Sequence, residues 1–120
     1  MFSTQRTEIK RLKSKQTIER LFSEGTHLGK RPIKLVCDAQ KGKGLALGFG
    51  VSKRLFPRAV DRNKIKRLMR EQYRIFCSDP LYTPIEGNGF FVYNSRKLPS
   101  LDTIEKAMLP LIKRWADLQP

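Results

Sequence analysis

Nine basic side chains crowd the stretch from Lys53 to Arg74: Lys53, Arg54, Arg58, Arg62, Lys64, Lys66, Arg67, Arg70 and Arg74, against only Asp61 and Glu71. They hold +7 of the formal +14 in less than a fifth of the 120 residues. Arginine engages two phosphate oxygens in a fork and lysine acts as a point charge, so such a set suits neutralisation of a phosphate backbone. An ordinary solvated helix face intersperses both signs, and this one does not. Over the whole chain, 25 Lys and Arg against 11 Asp and Glu give a pI of about 10.3, which repels itself in the free protein and fits a polyanionic partner.

The remaining reactive side chains argue against independent catalysis. A hydrolase needs a nucleophile with its base, a carboxylate pair or a metal cage. His27 is the single histidine and reads as a surface side chain. Cys37 and Cys77 lack C-x-x-C spacing and read as two buried thiols, neither zinc ligands nor a disulfide. Lys41-Gly42-Lys43-Gly44 is too short for a phosphate-binding loop of the G-x-x-x-x-G-K-[ST] kind. No catalytic residue and no protein-held metal is therefore expected.

The elements that position the cations follow from periodicity. From Asp61 to Phe76 the sequence projects onto a helix of about 100° per residue, with Ile65, Leu68, Met69, Tyr73, Ile75 and Phe76 in one arc. Arg62, Asn63, Lys66, Arg67, Arg70 and Arg74 fill most of the remaining circle. Upstream, residues 1–13 are polar and basic and read as a loose arm, and Ser14 caps a short helix over about 15–24 with Ile18, Leu21 and Phe22 on one face and Gly25 as its stop. Ile33, Leu35 and Cys37 alternate with Lys34, Val36 and Asp38 in a strand. After turn residues 39–44, bulky Leu45, Leu47, Phe49 and Val51 alternate with Ala46, Gly48, Gly50 and Ser52, a small face that admits a close helix or leaves a shallow groove. A loop over 77–88 leads to a buried strand over 90–94. Ser100 then opens a last helix, with Asp102 and Glu105 at capping-box spacing and Pro110 predicting a kink or two short helices.

These elements fit a single domain over 1–120, since two domains would leave each half near the lower size limit for a core. With 39% hydrophobic and 30% charged residues, the chain is too apolar for disorder and too interrupted by charge for a membrane protein. No apolar run of signal-peptide or membrane-span length is present, so a cytoplasmic location without membrane contact is expected.

The order Val51-Ser52-Lys53-Arg54, then Ala59-Val60-Asp61-Arg62-Asn63-Lys64-Ile65-Lys66-Arg67-Leu68-Met69-Arg70, resembles the signature of the bacterial ribonuclease P protein component, V-S-K-[KR] followed by A-V-x-R-N-R-x-K-R-x-x-R. The resemblance extends from Arg11-Leu12-Lys13 to the terminal helix. It implies an α+β fold (an α/β sandwich, ribosomal protein S5 domain 2-like). In that fold a small mixed sheet and flanking helices run in the order α-β-β-(β)-α-β-α, with a left-handed βαβ crossover.

The same resemblance implies a protein subunit that binds ribonuclease P RNA and the 5′ leader of precursor tRNA. The RNA holds the Mg2+ ions and cuts the phosphodiester, and no obligate protein partner is expected. By matching positions, Arg62, Asn63, Lys66, Arg67 and Arg70 contact RNA with Lys53, and Arg54, Arg58, Lys64 and Arg74 extend the cationic surface. Ile18, Phe22, Lys34 and Val36 are placed in the leader groove. Here Leu55-Phe56-Pro57-Arg58 replaces the shorter glycine-containing link of many relatives, and only Phe22 is aromatic in the groove. A ribosomal or other structural RNA-binding protein is the alternative. A DNA-binding regulator would need a helix-turn-helix pair, and strand-like sequence precedes the basic helix instead.

Overall fold

The computed structural model describes residues 9–79 and 84–120. In chain order it contains β1 (Ile9–Arg11), α1 (Lys15–Glu24), β2 (Thr26–Lys30), β3 (Ile33–Cys37), β4 (Leu45–Val51), α2 (Ala59–Cys77), β5 (Gly87–Tyr93) and α3 (Leu101–Asp117). The strands form one mixed sheet in the order β1-β4-β5-β3-β2. β1, β4 and β5 run parallel, while β3 is antiparallel to both β5 and β2. The expected α+β arrangement is therefore present, and the basic helix is the crossover between adjacent parallel strands β4 and β5.

Strand alternation divides the sheet into two unequal faces. Leu45 and Leu47 of β4, Phe91 and Tyr93 of β5, and Ile33, Leu35 and Cys37 of β3 join Ile65, Met69 and Tyr73 of α2 and Ile104, Met108, Leu111 and Trp115 of α3 in the main core. On the opposite face α1 covers a smaller cluster of Leu12, Leu21 and Val36, flanked by Ile18, Ala46 and Phe90. One helix cannot cover a five-stranded sheet, so part of this second face stays open.

Several boundaries differ from the sequence reading. The loose arm does not extend to residue 13: Ile9–Arg11 pair with Leu45–Leu47, and Leu12 is buried beneath α1. Residues 1–8 of that arm and residues 80–83 of the 77–88 loop lie outside the described residues. β2 is not anticipated by the sequence, because it buries only Leu28 and so lacks an alternating apolar signal. β5 begins at Gly87, three residues before the predicted strand, through pairing of Gly87–Gly89 with Leu45–Leu47.

The last helix is continuous through Pro110, since burial of Met108, Leu111, Ile112 and Trp115 on both sides outweighs one missing hydrogen bond. Its cap is Ser100, whose hydroxyl accepts from the Thr103 N–H, while Asp102 pairs with Lys106 at 3.1 Å. On α2, Ile75 is 45% exposed and Gln72 is buried in the arc expected to hold it.

Gly89 is the tightest approach in the core. A Cβ there would lie 2.3 Å from the Trp115 ring. That ring is fully buried and its Nε1–H donates to the Asp38 carbonyl at 2.8 Å, so it has little room to yield. Gly89→Ala should therefore destabilise the fold by about 1–3 kcal/mol through overpacking. Urea unfolding measures this as a lowered midpoint at unchanged slope, and an unshifted midpoint would contradict the pinned ring.

Candidate nucleic-acid interface

α2 divides its circumference between core and charge. Ile65, Met69, Gln72 and Tyr73 are buried, whereas Asn63, Lys64, Arg67, Arg70 and Arg74 are exposed and Lys66 is half-buried. Among the described residues no carboxylate pairs with these cations; the ion pair present is Lys106–Asp102, on α3. An unpaired cation row keeps its charge available to phosphate, at a cost of self-repulsion in the free protein.

β1 extends this row in a way the sequence did not show. A cleft of about 450 Å³ opens between β1, β4 and α2, and its lining holds Lys10, Arg11, Lys66, Arg70 and Arg74, with no carboxylate among the described residues. Phe49 forms part of its wall, and the Arg70 guanidinium lies 5.6 Å from the centre of that ring, a cation–π contact that orients the side chain. Lys10 and Arg11 were missed because a three-residue edge strand carries no periodicity of its own.

A second cationic region is created by strand register. Val51, Tyr93, Ile33 and Lys30 are aligned across the sheet, so the connections 31–32, 52–58 and 94–100 all leave from one end. That end carries Lys30, Arg31, Lys34, Lys53, Arg54, Arg58, Arg96 and Lys97 with no Asp or Glu among those connections and Lys30–Lys34. Lys53, Arg54 and Arg58, the cations the sequence marks for RNA contact, are exposed. The hairpin and the 94–97 turn add cations that only the three-dimensional pairing brings beside them.

Arg62 occupies a different place from its helix neighbours. Its Nη1 donates to the carbonyl oxygens of Phe56 and Pro57, both at 2.8 Å, so the side chain folds back on the link that starts the helix. In that link Phe56 is buried against Tyr93, and its N–H bonds the Ser52 carbonyl at 3.0 Å. The Leu55-Phe56-Pro57 sequence is thus a packed turn held by Arg62. The fork expected to grip RNA is partly used inside the protein.

The open sheet face also rearranges the predicted groove. Val36 is fully buried beneath α1 and Ile18 is half-buried in the same cluster, so Val36 is a core residue and cannot touch a strand of RNA. Phe22 is 36% exposed and meets the Phe90 ring edge-to-face at 5.4 Å. Phe90 lies across Gly48 and Gly50, where added Cβ atoms would stand 2.5 and 2.8 Å from its ring. Lys34 is exposed on this face, opposite Val92 of β5. The Gly48/Gly50 alternation was the available signal; the partner ring that fills it could not be read without the β4–β5 register.

His27 is exposed and its Nε2 lies 3.0 Å from the Phe22 carbonyl, a structural contact. Burial, with Asp38 nearby, pushes the Cys37 thiol up to about 12, so it is protonated at neutral pH and unreactive. Cys77 is half-buried. Among the described residues no group of His, Cys, Asp and Glu could hold a metal ion, and no helix is long and apolar enough to cross a membrane.

Comparison with known proteins places these features. The family profile described as Ribonuclease P matches residues 7–114. A ribonuclease P protein component of Porphyromonas gingivalis is 31% identical over 95% of this chain and 88% of its own length. That of Chlorobaculum tepidum is 46% identical over 58% of this chain, an alignment spanning about half (48%) of the relative. In fold, the chain resembles the RNase P protein of Staphylococcus aureus, with a TM-score of 0.73, 24% identity, and coverage of 87% of this chain and 93% of that one. The Thermotoga maritima RNase P protein likewise gives a TM-score of 0.73 at 22% identity, covering 88% and 96%.

Arg62→Met should loosen the 52–58 link while keeping most of the apolar stem. Hydrogen bonds from a charged donor contribute about 1.5–3 kcal/mol each, discounted here by partial exposure to about 1–3 kcal/mol for the pair. Thermal or urea unfolding should show that loss, with faster amide exchange at Phe56. Unchanged stability would mean that the Arg62 fork is free for RNA.

Proposed function

The chain belongs to the ribonuclease P protein family, a component of the tRNA-processing ribonucleoprotein, and from its own surfaces we propose how it assists removal of the 5′ leader. The outward cations of α2, Lys64, Lys66, Arg67, Arg70 and Arg74, with Lys10 and Arg11, neutralise phosphates of ribonuclease P RNA. The leader of precursor tRNA lies on the open sheet face, where Phe22 and Phe90 offer stacking surface and Lys34, Lys53 and Arg54 track its backbone. The metal ions and the bond cleavage belong to the RNA. Arg62 acts indirectly, by holding the turn from which Lys53 and Arg54 project.

The observation that carries this reading is the cleft of five cations beside α2, with no carboxylate in its lining among the described residues, next to the pair of exposed Phe22 and half-buried Phe90. Steering and phosphate neutralisation need the first, and single-stranded nucleic acid needs the second.

Reconstitution tests it directly. RNA-free protein should leave precursor tRNA intact, and protein with its ribonuclease P RNA and Mg2+ should release the leader at the mature 5′ end. Specific cleavage by RNA-free protein would overturn the assignment. In the same system a stacked base contributes about 1–3 kcal/mol, so Phe90→Leu should reduce the ratio of precursor to mature tRNA affinity by about fivefold or more. An unchanged ratio would remove Phe90 from the leader path.

A further inference from the structure

Behind the cationic end of the sheet lies a cleft that the leader face does not use. It measures about 880 Å³ and opens between the β2–β3 hairpin and the 94–99 connection, on the α3 side. Its floor is Ile33 and Tyr93, both almost fully buried, and Leu98, 55% exposed, forms a wall. Lys30, Arg31, Lys34 and Lys97 stand around it, and among the described residues no carboxylate lines it. The walls are tied together: the Asn94 N–H donates to the Pro32 carbonyl at 2.8 Å, and the Tyr93 hydroxyl donates to the Lys97 carbonyl at 2.6 Å.

Lys34 connects this cleft to the rest of the molecule. Its register opposite Val92 puts it on the face that holds Phe22 and Phe90, yet it also lines the cleft behind the hairpin. A strand lying on the first face therefore meets a continuous line of positive charge around the sheet end, through Lys34 to Lys30 and Arg31. The exposed Leu98 beside a cationic rim suits a single strand, whose bases can lie on that apolar side chain while its phosphates face the rim. A duplex would present only its phosphates to such a cleft.

We propose that the cleft between the β2–β3 hairpin and the 94–99 connection is a second single-stranded RNA subsite, taking leader nucleotides upstream of those on the Phe22–Phe90 face, with Lys34 at the crossing point. This rests on the leader-binding reading above. It assigns a role to Lys30 and Arg31, which that reading leaves unused. An acidic polypeptide would match the charge, but continuity with the leader face at Lys34 favours RNA.

The experiment uses the reconstituted holoenzyme and precursor tRNAs whose leaders lengthen stepwise from a few nucleotides, each compared with mature tRNA. With the unaltered protein, affinity should rise a second time once the leader is long enough to round the sheet end. In the Lys30→Ala/Arg31→Ala variant that second rise should vanish, while short-leader affinity and affinity for ribonuclease P RNA stay unchanged. The salt slope for the long-leader precursor should become shallower by about 1.4, or 0.7 for each of two single-strand phosphates.

A second rise retained in the variant, or absent from the unaltered holoenzyme, overturns the subsite. Equal loss for short and long leaders also overturns it, since the hairpin would then belong to the first face. If polyglutamate added to the unaltered holoenzyme binds without lowering long-leader affinity, and this binding is lost in the variant, the cleft is a protein-binding surface and the subsite is overturned. Failure of the underlying reading is distinguishable: the unaltered holoenzyme would then hold precursor no tighter than mature tRNA at every leader length.

Discussion

Mutual repulsion among the cations of α2 is the constraint on which the rest of the structure depends. Two unit charges about 6 Å apart in water repel by about 0.7 kcal/mol, and the helix surface sets several such pairs side by side. Burying a side chain such as Ile65 or Met69 contributes about 1.5–3 kcal/mol. The helix can carry its charge because its other arc is sealed by β4, β5 and α3, with Tyr73 against Phe91 at 6.2 Å. A polyanion that neutralises the outer arc then relieves the repulsion that the core only offsets.

Topology sorts the remaining charge along the strand axis. The end from which 31–32, 52–58 and 94–100 depart has no carboxylate in those connections. Carboxylates at the other end are engaged in structure: Glu86 accepts from the N–H groups of Gly42 and Gly44 at 3.1 and 3.3 Å, and Asp38 accepts from the Asn88 N–H at 2.7 Å. Gly42 and Gly44 have φ of 82° and 73°, which lets the β3–β4 turn point both donors at one side chain. The acids thereby close turns away from the cationic end, and the cations are left uncompensated where RNA is proposed to lie.

Strong local patterns were legible in the sequence, and pairing was not. The basic helix, α1 and the alternation of β4 each carry a period that burial enforces, so residue spacing alone places their side chains. β1 and β2 are short edge strands whose existence depends on β4 and β3, and Lys10, Arg11, Lys30 and Arg31 came into view only with them. Val36 shares the strand face assigned to it, but α1 packs directly over it, which alternation cannot reveal. Arg62 has the spacing of a phosphate ligand and instead caps two carbonyls, because the buried Phe56 brings that turn within its reach.

Contact between the outer arc of α2 and phosphate is the premise on which the other surfaces depend. Salt dependence of binding to ribonuclease P RNA measures this, for the unaltered chain and for Lys66→Ala, Arg70→Ala and, on the exposed side of α3, Lys113→Ala. Each α2 variant should give a log–log salt slope shallower by about 0.7–0.9, one phosphate's worth of counterion release, and Lys113→Ala should not. Slopes unchanged in both α2 variants, or shifted equally in all three, would contradict it.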